Sequence, residues 1–178
     1  MKLSTGFLGT PYLLDVLADA GLWDEVSGLL LQTGYPSWGY MPEQGGTTVW
    51  ERWNGDTGDL SMNSYNHYAF GAVVGFFYRR LAGIAPAAPG FRRIAVRPVW
   101  LPQVGRVAAR FDSPVGLIAS ETGGDADGLN RFTLTVPANT VAEVELPGTG
   151  WRGVPGEARE SDGLTCFDAA PGTYEFTR

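Results

Sequence analysis

Ala85-Pro86-Ala87-Ala88-Pro89-Gly90 divides the chain into two hydropathy patterns. Before it, apolar residues recur every three to four positions, the period of a buried helix face. After it they alternate, the period of a half-buried strand. Upstream, Gly9-Thr10-Pro11 reads as a helix start, with Thr10 as N-cap and Pro11 at the first helical position. Leu13, Leu14 and Leu17 follow on one face, and Gly21 ends the run. A second helix is expected over Trp23 to Leu31, with Val26, Leu29 and Leu30 as its buried stripe. A third is expected from an Asn63-Ser64 cap to Leu81, apolar nearly all round and therefore buried.

Downstream, five strands are expected at Ile94–Arg97, Val107–Phe111, Leu117–Ser120, Arg131–Val136 and Val141–Leu146. One or two more are expected between 164 and 178. Turn signals at Ser113-Pro114, Gly123-Gly124, Asp127-Gly128 and Pro137-Ala138-Asn139 separate them. This regular spacing points to an antiparallel β-sandwich. The expected organisation is multi-domain, α then β: residues 1–85 helical and residues 90–178 the sandwich.

A chain of 178 residues that is 44% hydrophobic can bury a core. The net charge of −6, with no basic run, argues against a nucleic-acid partner. The longest apolar stretch, about Ala69 to Tyr78, falls short of the roughly 20 residues that span a bilayer. The chain has one cysteine, Cys166, and one histidine, His67. An intrachain disulfide and a multi-histidine or cysteine metal site are excluded, and no cofactor is expected. The start Met1-Lys2-Leu3-Ser4 shows no signal peptide, which leaves the compartment unknown, bacterial cytoplasm or secreted, for a chain expected to be soluble.

The stretch Thr33 to Ser61 is long, irregular and rich in aromatics, and long ordered loops are usually functional. Three of the six tryptophans, Trp38, Trp50 and Trp53, fall within it. Around them lie Tyr35, Tyr40, Glu43, Glu51, Arg52, Asp56 and Asp59, with Asn66, His67 and Tyr68 just beyond. Flat aromatic faces pack against the C–H faces of sugar rings, while carboxylates, amides and imidazoles reach hydroxyls. The stretch therefore suits carbohydrate, although tryptophans that plug helix ends would give the same composition. Glu51, between Trp50 and Arg52, could serve as a general base on water or simply pair with Arg52. His67, placed in the first turn of the third helix, could donate a hydrogen bond to a ligand or satisfy the core.

Four segments in order carry a family resemblance: Ser4-Thr5-Gly6-Phe7-Leu8-Gly9-Thr10-Pro11-Tyr12-Leu13-Leu14, Tyr35-Pro36-Ser37-Trp38-Gly39-Tyr40, Gly45-Gly46-Thr47-Thr48-Val49-Trp50-Glu51-Arg52-Trp53 and Ser64-Tyr65-Asn66-His67-Tyr68-Ala69-Phe70-Gly71. They resemble the bacterial α-L-rhamnosidases. The half beginning Gly90-Phe91-Arg92-Arg93-Ile94 resembles that family's C-terminal β-sandwich. The resemblance implies the last helices of an α/α barrel followed by the sandwich, from an enzyme that hydrolyses terminal α-L-rhamnosides with inversion. It implies Glu51 as the general base, His67 as a hydrogen-bonding partner of the sugar, and Trp50 and Trp53 as pocket walls. Inverting hydrolysis places acid and base roughly 6.5–9.5 Å apart, with a water between base and sugar.

No residue here matches the family's general acid, which lies upstream. The expected unit is thus a fragment holding the base without the acid, inactive alone. Its expected partners are a rhamnose-containing glycoside and either the upstream part of its catalytic domain or a second copy of itself. The competing readings are a different α/α-barrel glycosidase and a non-catalytic carbohydrate-binding or structural module.

Overall fold

The computed structural model describes residues 2–57, 61 and 63–178. The chain forms two compact units, Met1–Phe76 and Phe77–Arg178.

In the first unit, helix α1 spans Thr10–Asp19 and helix α2 spans Trp23–Leu30. Pro11 lies in the first turn of α1, where its missing N–H costs nothing. Thr10 begins the helix instead of capping it, because its hydroxyl is bonded to the Thr5 hydroxyl at 2.8 Å and the Thr5 carbonyl at 3.1 Å. Gly21 adopts φ 74° after the last turn, and the Leu22 N–H returns to the Leu17 carbonyl at 2.9 Å. That left-handed closure favours glycine. Leu14 and Ala18 of α1 and Val26 and Leu29 of α2 are buried. A short helix, α3, covers Tyr40–Glu43 inside the stretch expected to be irregular.

The third helix starts later than its sequence suggests. Helical structure begins with α4, Tyr68–Gly71, and continues in α5, Val73–Phe76. Residues 63–67 are held sideways instead: the His67 N–H donates to the Val49 carbonyl at 2.9 Å, and the Asn63 amide donates to the Gly55 carbonyl at 3.1 Å. Asn63 and Ser64 are used against the 49–55 segment, so the expected cap does not form, and His67 caps the later start instead.

The second unit opens with a π-helical turn, Phe77–Leu81, and contains nine strands. They are β1 Ile84–Pro86, β2 Arg93–Val96, β3 Ala108–Ser113, β4 Gly116–Asp125, β5 Gly128–Val136, β6 Val141–Pro147, β7 Arg159–Ser161, β8 Leu164–Ala169 and β9 Gly172–Thr177. One sheet has the order β1-β2-β6-β8-β7 and the other β3-β4-β5-β9. Alternate residues of both sheets meet in one core, including Val96, Val144, Leu146 and Phe167 from the first and Ile118, Phe132, Leu134 and Phe176 from the second. This is the expected sandwich, with one parallel pairing, β2 with β6, in an otherwise antiparallel arrangement.

Two strands were not legible. β1 lies within the Pro/Ala linker; it pairs only with β2, at the sheet edge where proline is tolerated. β7 is three exposed polar residues that also occupy an edge. Gly123-Gly124, expected as a turn, is a bulge inside β4.

Candidate active site

Trp50 anchors the aromatic segment. It is 5% exposed and packs with Met41 and Phe70, and its N–H points to the Met41 sulfur at 3.3 Å. Two glycines press against its ring. A Cβ on Gly46 would lie 2.6 Å from Trp50 Cζ2, and one on Gly55 would lie 2.8 Å from Trp50 Cε3. With the indole fixed, the chain turns sharply from Arg52 to Gly55, whose N–H donates to the Arg52 carbonyl at 3.1 Å.

That turn presents Glu51, Arg52 and Trp53 to a cleft of about 450 Å³, which Phe7, Tyr35 and Phe70 also line. Glu51 is doubly held. Its N–H donates to the Ser64 carbonyl at 2.8 Å, and its carboxylate Oε2 accepts the Ser64 N–H at 2.8 Å. Trp53 stacks on Phe70 with centroids 3.9 Å apart and an interplanar angle of 13°, and meets Trp38 edge-on at 5.6 Å. Trp38 in turn donates its indole N–H to the Phe70 carbonyl at 2.9 Å. The Trp53 indole nitrogen is buried and has no acceptor among the described residues.

His67 sits one step behind the cleft wall. It is the N-cap of α4, in extended backbone, and its Nδ1 accepts the Ala69 N–H at 3.2 Å. It stacks with Phe7 at 4.9 Å, and Phe7 meets Phe70 edge-on at 5.5 Å. An aromatic chain thus links His67 through Phe7 and Phe70 to Trp53. Of the four residues singled out by sequence, Glu51 and Trp53 line the cleft, while Trp50 is buried beneath and His67 touches it through Phe7.

The other acidic groups are differently occupied. Asp56 accepts the Tyr40 hydroxyl at 3.1 Å, and burial, then this carboxylate, holds the Tyr40 phenol above its usual range. Asp59 lies outside the described residues. No group of three His, Cys, Asp or Glu side chains among the described residues is placed to hold a metal ion. No described helix is long and apolar enough to cross a membrane.

Two residues that sequence reasoning gave no role at the site shape it. Ser64 acts through its backbone, which composition cannot reveal. Phe7 lies in a segment quoted for its resemblance, but nothing local shows that its ring meets residue 67.

Comparison with known proteins points to one family for both units. Residues 1–81 match the bacterial alpha-L-rhamnosidase 6 hairpin glycosidase domain, and residues 83–160 the bacterial alpha-L-rhamnosidase C-terminal domain. An alpha-L-rhamnosidase of Streptomyces avermitilis is 40% identical over 98% of the chain, and one of Formosa agariphila is 37% identical over 98%. The crystal structure of the Streptomyces avermitilis alpha-L-rhamnosidase complexed with L-rhamnose superimposes with a TM-score of 0.87 at 39% identity, covering 99% of the chain and 18% of that structure. The chain spans 18% and 20% of the length of these two curated relatives. On both of its units, therefore, the chain belongs to the bacterial α-L-rhamnosidase family.

Proposed function

We propose that this chain forms part of an enzyme that hydrolyses terminal α-L-rhamnosides with inversion, with Glu51 as the general base. Residues 1–85 would contribute to the helical catalytic domain and 90–178 would form the accompanying sandwich. The observation that carries the reading is the tethered carboxylate in the cleft. The Ser64 N–H bonds Oε2 of Glu51, which orients the group, and Oε1 would take the proton from water.

In this reading the water attacks the anomeric carbon on the face opposite the leaving oxygen. Glu51 accepts the water proton while an acid protonates the leaving oxygen. No residue of this chain is assigned the acid's role. Trp53 offers an aromatic face to the sugar's C–H groups, while its indole nitrogen is buried with no acceptor among the described residues. Trp50 supports that wall from beneath, and His67, which meets the cleft through Phe7, is the residue to which the family resemblance gives a hydrogen bond with the sugar.

The helical unit's surface supports a covering partner. Among the described residues, every exposed large apolar side chain lies between Phe7 and Phe77. Leu8, in the turn before α1, and Tyr12 and Val16, four apart on α1, are 89%, 69% and 61% exposed. The proposed cover is the remainder of the helical catalytic domain. A panel of aryl glycosides offered to the complete enzyme tests the function. Turnover of the α-L-rhamnoside with first release of the inverted anomer is expected; preference for another sugar, or retention, would overturn the reading.

A further inference from the structure

We infer that Phe7 and the Ala69 backbone N–H lock His67 as an Nε2–H tautomer, which makes the imidazole a fixed donor and Phe7 its positioning residue. Only the identity of the group that Nε2 meets rests on the rhamnoside reading.

A neutral imidazole has one donor nitrogen and one acceptor nitrogen. Nδ1 of His67 accepts the Ala69 N–H at 3.2 Å, so its lone pair is engaged and the proton belongs on Nε2. The other tautomer would set one N–H against another and leave the first turn of α4 uncapped. Flipping the ring by 180° would put a carbon where the acceptor stands, with the same loss. The backbone allows no alternative approach. The His67 N–H is committed to the Val49 carbonyl at 2.9 Å, and the His67 carbonyl accepts the Gly71 N–H at 3.3 Å.

The ring plane is held from the side. Phe7 stacks on the imidazole at 4.9 Å and 23°, and Tyr68 at 5.1 Å and 16°. Tyr68 is 85% exposed, whereas Phe7 is braced edge-on against the buried Phe70. Its segment is pinned as well, since the Thr10 N–H donates to the Gly6 carbonyl at 3.0 Å. Phe7 also lines the cleft, so one ring faces the ligand space and sets the imidazole behind it. A locked Nε2–H can serve only an acceptor: a sugar hydroxyl or ether oxygen satisfies it, and an ammonium or amide donor does not.

His67 is the chain's one histidine, so its ring nitrogens can be read without assignment ambiguity. The test is an imidazole ¹⁵N–¹H correlation spectrum of the ligand-free full chain in mildly alkaline buffer. The expected result is an unprotonated Nδ1 and a protonated Nε2, with the Nε2–H form in about tenfold excess, the ratio that one hydrogen bond sets. A proton on Nδ1, or an evenly averaged pair, would overturn the lock. Phe7→Leu should shift both nitrogens toward the averaged position, and Phe7→Tyr should restore the wild-type pattern. If Phe7→Leu loses its helical circular dichroism, Phe7→Met, a longer side chain, gives the same readout. A wild-type pattern in the folded Leu or Met variant would overturn the positioning role. No ligand is present in these measurements, so a failed lock leaves the rhamnoside reading standing, and the reverse.

Discussion

Glu51 and Ser64, thirteen residues apart, exchange two hydrogen bonds of 2.8 Å, one between backbones and one from the Ser64 N–H to the Glu51 carboxylate. The pair ties the cleft turn to the segment that leads into His67. Its chemistry lies in Ser64's backbone, while the Ser64 hydroxyl accepts the exposed Asn66 N–H at 3.3 Å. Ser64→Ala should therefore leave the kcat of the complete enzyme within about threefold of wild type, a change of well under one hydrogen bond's worth. A loss of a hundredfold, measured on an aryl α-L-rhamnoside, would mean that the hydroxyl itself takes part.

Gly46 and Gly55 leave no room beside Trp50. A Cβ on Gly46 would also lie 2.8 Å from the Met41 carbonyl oxygen, which cannot swing aside as a flexible side chain could. Gly46→Ala and Gly55→Ala should each destabilise the helical unit by about 1–3 kcal/mol, the usual cost of overpacking. Thermal unfolding followed by tryptophan fluorescence measures this, and an unchanged midpoint for both variants would contradict the packing described.

The exposed Leu8, Tyr12 and Val16 should make the isolated chain self-associate. Replacing all three with Gln should lower the mass measured by light scattering without lowering the unfolding midpoint, since none of the three is buried. A wild-type chain that is monomeric at high concentration would remove the need for a covering partner.

In the sandwich, the Arg106 guanidinium hydrogen-bonds Glu121 at 2.7 Å and holds its carboxyl below the usual range. The folded value is the lower one, so the pair's stabilisation is present above the ordinary carboxylate range and is lost as pH falls through the depressed value. Both side chains are well exposed, which keeps the effect small. Arg106→Ala should lower the unfolding midpoint slightly at pH 7 and not at pH 2. An equal loss at both values would point to packing of the Arg106 stem instead.

The sandwich was largely legible because one face of its longer central strands is buried. Phe132, Leu134 and Val136 alternate with half-exposed Thr133 and Thr135, and such a period survives without tertiary information. What escaped was set by pairing across distance. β1 and β7 are too short to show a period, and residues 63–67 carry a helix-start signature that their bonds to Val49, Glu51 and Gly55 override. At the site, residue types identified Glu51 and Trp53 as carbohydrate-facing candidates, and the structure places both in the cleft. The burial of Trp50 and the capping role of His67 follow from contacts with Met41 and Ala69, which sequence spacing does not encode.

The central claim is that Glu51 is the base, and the measurement that reaches it most directly is the kcat of Glu51→Gln in the complete enzyme on an aryl α-L-rhamnoside. The glutamine keeps an oxygen for the Ser64 N–H, so the turn should hold, while the group that takes the proton is gone. General-base assistance is worth about 10²–10⁴-fold, and that loss in kcat, with rhamnose affinity little changed, is the expected result. A variant within tenfold of wild type would contradict the account and leave Glu51 as a structural partner of Ser64.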